Sequence, residues 1–405
     1  MVVQVDNMKK KNILIVHNYY QIPGGEDTVV VNEKKMLEEH GHKVVQYSRN
    51  NSELKNMSKL QKLKLPLTAV FNLRTYKEVK RLIRDEHIDI VHVHNTLTLI
   101  SPSVYYAARA MNVPLVQTVH NFRLICPGAT FYRDGHICED CVTKGLGCAV
   151  KHRCYRGSML QTLACVISTK IHRLTGIYSK INYICLTEFN KEKLLQLNSE
   201  GKRQIINPTK VFIKPNFTFD ISSESIGEEG EYYLFIGRVE KIKGLDILLE
   251  AFSGLPNEKL VIAGTGSMIE EYRKFATNNV KFTGLLNRDK LIQNLLKAKA
   301  VIVPSQWYET FGMIIIEAYA AHKPVIVGNI GNIALLVDEA KTGIHFDYDS
   351  VKSLQNAIYK FGKMDLREME TNAYRKYKME FTDETNYFLL SSVYDSITID
   401  AGGVQ

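Results

Sequence analysis

Tyr232-Tyr233-Leu234-Phe235-Ile236-Gly237-Arg238-Val239-Glu240-Lys241-Ile242-Lys243-Gly244 opens with five apolar residues in a row, and a helical pattern follows over 244–253. A strand with no polar alternation is buried on both faces, as in a parallel sheet covered by helices. The same strand–loop–helix unit recurs along the chain. In the first half, strands are expected at Asn12–His17, His42–Tyr47, Ile88–His94, Pro114–Thr118 and Asn182–Leu186, with helices at 25–39, 72–86, 102–111, 158–175 and 188–197. A second series has strands at Tyr232–Ile236, Lys259–Ala263, Val280–Phe282, Ala300–Pro304 and Pro324–Val327, with helices near 244–253, 267–277, 288–297, 313–321 and 333–340. Two such series predict an α/β protein of two facing Rossmann-like, doubly wound domains with a cleft between them. The seam falls at Asn207–Asn216, where Pro208 and Pro215 flank a short strand. This gives domains 1–212 and 213–380, with 381–405 as a helix packing back on the first domain.

Composition agrees with a globular chain: 405 residues, 45% hydrophobic and 23% charged. Neither a fibrous nor a disordered protein fits those values. The formal charge of +9 divides unevenly, +14 over residues 1–220 and −5 over 221–405. The two halves are therefore expected to face different partners. The apolar stretch Ile13–Val16 is too short for a signal peptide. The longest uncharged run, the 19 residues Ile90–Ala108, holds His92, His94, Asn95 and Pro102, which a membrane span would have to bury. Seven cysteines, five of them within 126–154, do not suggest pairing across the fold, so a cytosolic chain is expected.

Ligands of open α/β sheets sit at the carboxyl ends of the strands, and chemistry is sought there. The first strand leads into Gly24-Gly25-Glu26-Asp27 and then a helix. Paired glycines let backbone N–H groups approach an anion, although an ordinary turn has the same sequence. In the second half, Arg238 and Lys243 stand five residues apart before a helix, where they can clamp a diphosphate or simply be solvated. Gly264-Thr265-Gly266 is another close-approach turn. Ser305-Gln306-Trp307-Tyr308-Glu309-Thr310-Phe311-Gly312-Met313-Ile314-Ile315-Ile316-Glu317 places Glu309 in a loop and Glu317 inside the next helix. Ionised carboxylates only accept hydrogen bonds, so one suits a sugar's hydroxyls and the other a ribose. Backbone N–H groups of Phe311, Gly312 and Met313 would face negative charge at the helix start.

Together these residues resemble family 4 glycosyltransferases of the GT-B fold over nearly the whole chain. The resemblance rests on the Gly24-Gly25 loop, Gly237-Arg238…Lys243-Gly244, Gly264-x-Gly266, Phe282-Thr283-Gly284, Glu309-x7-Glu317 and Pro324-Val325-Ile326. It implies that Arg238 and Lys243 hold the donor diphosphate, Glu317 the ribose, and Glu309 the transferred sugar. It also implies donor contacts from Gly24, Gly25, Gly264, Gly266, Leu285, Phe311, Gly312 and Met313, with His120 beside the donor sugar. Glu309, His120, Arg238 and Lys243 would be the catalytic set of a retaining enzyme that needs no cofactor or divalent ion. One departure stands out: where the family has Gly-Gly-x-x-Glu, this chain has Gly331-Asn332-Ile333-Ala334-Leu335. Rival readings are a nucleotide-sugar epimerase of the same fold and a non-catalytic scaffold.

Cys138-x2-Cys141 has metal-knuckle spacing, and Cys148 and Cys154 can complete a structural zinc site; packed thiols or a disulfide are the alternatives. Some members of the family share such a cysteine-rich loop. Between Lys55 and Arg84 lie nine basic residues and one acid, Glu78, interleaved with leucines. This pattern suits an anionic membrane surface, and no nucleic-acid motif accompanies it. The acceptor expected is a glycan on a lipid carrier, with the enzyme peripheral at the cytoplasmic membrane face.

Overall fold

Ile13, Leu14, Ile15 and Val16 are each fully buried. They form the middle of strand β1 (Asn12–Tyr19), which pairs in parallel with β2 (Lys43–Asn50) and β3 (Ile90–Asn95). Ile13 lies opposite Val44 on one side and Ile90 on the other. Strands β4 (Leu115–Thr118), β5 (Asn182–Cys185) and β6 (Val211–Ile213) complete a six-stranded sheet of order β2-β1-β3-β4-β5-β6. The computed structural model describes residues 9–22, 24–198, 204–221 and 230–402; Pro23 of the glycine-pair loop lies outside them.

Contacts divide the chain into two units. The first draws on 1–130, 138–216 and 384–405, and the second on 131–137 and 217–383. The helix Asp383–Gly402 anchors to the first sheet through polar contacts. The Tyr387 hydroxyl is 3.0 Å from His42 Nε2, the Tyr394 hydroxyl 2.7 Å from His92 Nδ1, and Lys11 2.7 Å from Asp395. The division thus falls after Asn216, not at 212, and a short piece of the cysteine-rich loop, the hairpin Tyr132–Arg133/His136–Ile137, groups with the second unit.

The second sheet contains β7 (Tyr232–Ile236), β8 (Leu260–Ala263), β9 (Val280–Gly284), β10 (Ala298–Val303), β11 (Val325–Gly328) and β12 (Gly343–Phe346). All are parallel, in the order β9-β8-β7-β10-β11-β12. Its core joins Tyr233, Phe235 and Ile262 to Leu248 and Phe252 of the helix Leu245–Ser253. The strand order reverses between β7 and β10, so the loops leaving these neighbours form the switch point at which open sheets bind ligands. Past β11, three elements went unread in the sequence: β12 and the helices Val351–Phe361 and Leu366–Glu380. The helix expected at 333–340 is a single turn, Gly331–Leu335. The basic stretch contains a helix, Lys59–Val70.

Candidate active site

The loops leaving β7 and β10 lean on each other. Gln306 N–H donates to Ile242 O at 2.9 Å. Gly244 has φ +73°, and a Cβ there would stand 1.9 Å from Pro304 O, so no larger residue fits. Gly264, at φ +149°, is excluded from bearing a side chain by Gly237 O in the same way. The packed loops bring Lys243 to Glu309, with Nζ 2.7 Å from Oε1. The Ser305 hydroxyl donates to the same oxygen, and the Trp307 ring centroid lies 5.5 Å from Lys243 Nζ. Burial works to raise the Glu309 carboxyl, but Lys243, Ser305 and Arg238 outweigh it and hold it below the usual range. Glu309 is therefore an ionised acceptor, and Arg238 stands exposed close by.

Gly312 is the N-cap of the helix Met313–Ala320, whose first N–H groups start beside this pair. The Phe311 side chain points into the core against Phe381, so its contribution at the site is its backbone. Leu285, just past β9, is 80% exposed. Glu317 is half-buried and receives Arg288 at 2.9 Å. Burial raises its carboxyl and Arg288 offsets only part of that shift. Asn332 is fully buried and donates through Nδ2 to Glu309 O at 2.6 Å and Thr310 O at 3.1 Å. The residue that departs from the family pattern thus holds the loop that carries Glu309. Leu335, the other departure, is exposed.

In the first unit, Gly24 is the N-cap of the helix Gly25–Glu39 and has open space within 4 Å of where a Cβ would be. Neither packing nor its φ of −133° demands glycine there, although glycine is among the residues favoured at an N-cap. Asp27 ties the turn together, accepting from Gly24 N–H at 2.9 Å while its other oxygen lies 2.8 Å from His17 Nε2. Glu26 accepts from the Tyr20 hydroxyl at 2.9 Å, and burial pushes its carboxyl up to about 8.

His120 ends a stack of buried imidazoles: its Nε2 lies 2.9 Å from His94 Nδ1, and His94 stacks in turn on His92. Glu33 Oε1 is 3.0 Å from His92 Nδ1 and 3.4 Å from His94 Nε2, while Lys214 donates to its Oε2 at 3.0 Å. Burial opposes the charge on Glu33, but Lys214 and His92 hold its carboxyl well below the usual range. Burial and His92 push His94 down to about 3, and burial and His94 depress His120 well below its ordinary value. Both imidazoles are neutral at physiological pH, so one donates and the other accepts. A cavity of about 80 Å³ opens beside them, lined by His94, His120, Asn121, Tyr105, Ser168 and Thr169.

A tetrahedral zinc bound at about 2.3 Å needs sulfur atoms roughly 3.8 Å apart. Among the described residues, Glu33, His92 and His94 are the group with three candidate ligand atoms within 4.8 Å of one another. The Lys214 ammonium already matches the Glu33 charge. Cys138, Cys141, Cys148 and Cys154 do not gather in that way. Cys141, Cys148 and Cys154 pack around Leu146, Ala149 and Val166. Burial pushes the Cys141 thiol up to about 12. Cys126, Cys154, Cys138 and Cys148 stand near enough to add to that shift.

Of the residues singled out in the sequence, Lys243, Glu309 and Arg238 come together, while Glu317 meets Arg288 and His120 meets His94; the supports from Ser305, Arg288 and the Glu33–Lys214 pair, and the hold of Asn332 on the Glu309 loop, were not foreseen. Comparison with known families matches residues 23–136 to the profile described as Glycosyltransferase Family 4 and residues 216–378 to Glycosyl transferases group 1. The chain belongs to the family 4 glycosyltransferases. Its relatives include the uncharacterized glycosyltransferase MJ1607 of Methanocaldococcus jannaschii, 30% identical over 51% of this chain and 60% of that one. The alpha-monoglucosyldiacylglycerol synthase of Streptococcus pneumoniae is 21% identical over 94% of this chain and 85% of that protein. Among solved structures, Anabaena Alr3699/HepE in complex with UDP superposes with a TM-score of 0.64 at 17% identity, covering 95% of this chain and all of that one. The glycosyltransferase therefore has the GT-B fold.

Proposed function

We propose that this glycosyltransferase moves a sugar, with retention at the anomeric carbon, from a nucleoside diphosphate sugar to a growing glycan on a lipid carrier at an anionic membrane face. The Lys243–Glu309 pair at the switch point carries the reading, because it sets a fixed cation and an ionised acceptor side by side at a helix start. Arg238 and Lys243 receive the diphosphate, Lys243 exchanging its carboxylate for phosphate oxygens. Glu309 accepts hydroxyls of the transferred sugar, and Glu317 those of the ribose. The bond from the anomeric carbon to the diphosphate oxygen breaks while the acceptor oxygen bonds on the same face. The acceptor's proton passes to the departing phosphate oxygen. Charge growing on that oxygen is stabilised by Arg238, Lys243 and helix N-termini, so no divalent ion is needed.

His120 lies beside the transferred sugar as a neutral imidazole, and the adjoining cavity takes the acceptor end. UDP in the HepE complex supports a nucleoside diphosphate donor, and the lipid product named for the streptococcal relative supports a lipid acceptor. The basic Lys55–Arg84 stretch supports the membrane placement. Hydrolysis measured across UDP-, GDP- and ADP-sugars, with the product anomer read by NMR, tests the reading. No turnover with any donor and no thermal shift with any nucleoside diphosphate would overturn it, and a free isomerised nucleotide sugar would replace it with epimerisation.

A further inference from the structure

The helix Met159–Leu174 is amphipathic the wrong way round for a protein in water. Its buried positions are Thr162, Val166, Thr169 and His172. Its exposed positions are Leu160 (77%), Leu163, Ile167, Ile171 and Leu174 (72%), which share one stripe at spacings of three and four. The inward polar groups are satisfied. The Thr162 hydroxyl donates to Ser158 O at 2.7 Å, and His172 lies 2.9 Å from both the Tyr106 hydroxyl and Val70 O. That last contact ties the helix to the end of its neighbour, Lys59–Val70. The neighbour buries no residue and exposes Leu60, Leu63 and Leu67.

We propose that these two helices form one insertion face for an anionic lipid surface, with the outward stripe of Met159–Leu174 as its apolar centre. This deepens the functional reading above and rests on it. Charge selects the occupant. Residues 54–77 and 141–187 contain no Asp or Glu, and hold six and seven Lys or Arg residues respectively. A second copy of so basic a face would repel the first, whereas acidic headgroups complement it. Among the described residues, no helix is long and apolar enough to cross a membrane, so the face lies on the bilayer. The helix also reaches the active site. Cys165, Ser168 and Thr169 line the cavity that His120 borders, while the stripe faces outward. One helix diameter, about 10 Å, therefore separates the lipid surface from the acceptor cavity.

Sedimentation with vesicles of equal phosphatidylglycerol and phosphatidylcholine, and with phosphatidylcholine alone, tests the face on the full chain. Binding to the mixed vesicles should be at least tenfold tighter. The triple variant Leu160→Ser/Leu163→Ser/Ile167→Ser should lose at least tenfold of that affinity while keeping the wild-type thermal shift with nucleoside diphosphate. If the triple variant proves unstable, Leu160→Glu alone carries the test, because the side chain is mostly exposed. Wild-type binding by a folded stripe variant, or no preference for acidic vesicles, overturns the proposal. A wild-type dimer that the stripe variant dissolves overturns it in favour of self-association. Vesicle binding through the stripe with no transfer to any lipid-linked acceptor would leave the face standing and remove the lipid-acceptor function; donor hydrolysis without vesicle binding does the reverse.

Discussion

Asn332 offers the sharpest test of how the donor loop is held. Its amide donates to two consecutive carbonyls, Glu309 O and Thr310 O, from a position with no exposure. Asn332→Ala leaves both acceptors without this donor. A buried polar group losing its partner costs about 1–3 kcal/mol, and two on one loop share relaxation, so about 2–4 kcal/mol is expected. Glu309 sits on that loop, and a misplacement of about 1 Å at a reacting centre costs roughly a hundredfold in rate. Donor hydrolysis should therefore fall at least tenfold in kcat/KM. UDP affinity should change less than threefold, because Arg238 and Lys243 belong to a different loop. Asn332→Asp has the same shape but sets acceptor oxygens against two carbonyls, and should be worse than Ala. The assay pairs thermal unfolding with hydrolysis across the donor panel. Wild-type turnover and melting in Asn332→Ala, or equal damage to nucleotide binding and turnover, would refute the reasoning.

Replacing Arg238 or Lys243 with Ala removes a charge-assisted diphosphate contact worth about 1.5–3 kcal/mol. Turnover should fall at least tenfold with the fold intact, and wild-type rates in both variants would sink the clamp. Catalysis should survive EDTA; loss of turnover that magnesium restores would contradict the role given to the two fixed cations. Glu26 should make stability pH-dependent. Its folded value of about 8 stands above the ordinary 4.5, so its contribution is complete below pH 4.5 and is lost as pH rises toward 8. The slope approaches about 1.4 kcal/mol per pH unit. Melting of wild type against Glu26→Gln between pH 5 and 8 checks this, and parallel curves would exclude it.

The two sheets were legible because several of their strands are runs of four buried apolar residues, as in Ala300–Val303 and Ile13–Val16. Strand β12 was not, since Gly343–Phe346 is four residues long with His345 inside it. The helix Val351–Phe361 was there to be read: Leu354, Ala357, Ile358 and Phe361 are spaced as one helical face and all are buried. The cysteine loop was legible only in its spacing, which tells which thiols are near in sequence and not the apolar contacts that Cys141, Cys148 and Cys154 make with Leu146, Ala149 and Val166.

The residues of the candidate site divide along the same line. Arg238, Lys243, Glu309 and Glu317 could be located because each follows a strand in the chain, and the fold class alone says that strand ends carry chemistry. Their supports come from elsewhere: Asn332 reaches Glu309 from 23 residues away, Arg288 reaches Glu317 from 29, and Lys214 reaches Glu33 from 181. Such pairs are products of topology, and no local pattern encodes them. One signal did exist. His92 and His94 lie in a strand with every residue buried, and an imidazole in such a strand must find partners there. Those partners, Glu33, Thr118, Tyr394 and His120, end at the residue proposed to stand beside the sugar. A Glu33→Gln variant keeps the size of the side chain but leaves Lys214 buried without its counter-charge. Its damage should therefore be largest in stability and should reach turnover only through the position of His120.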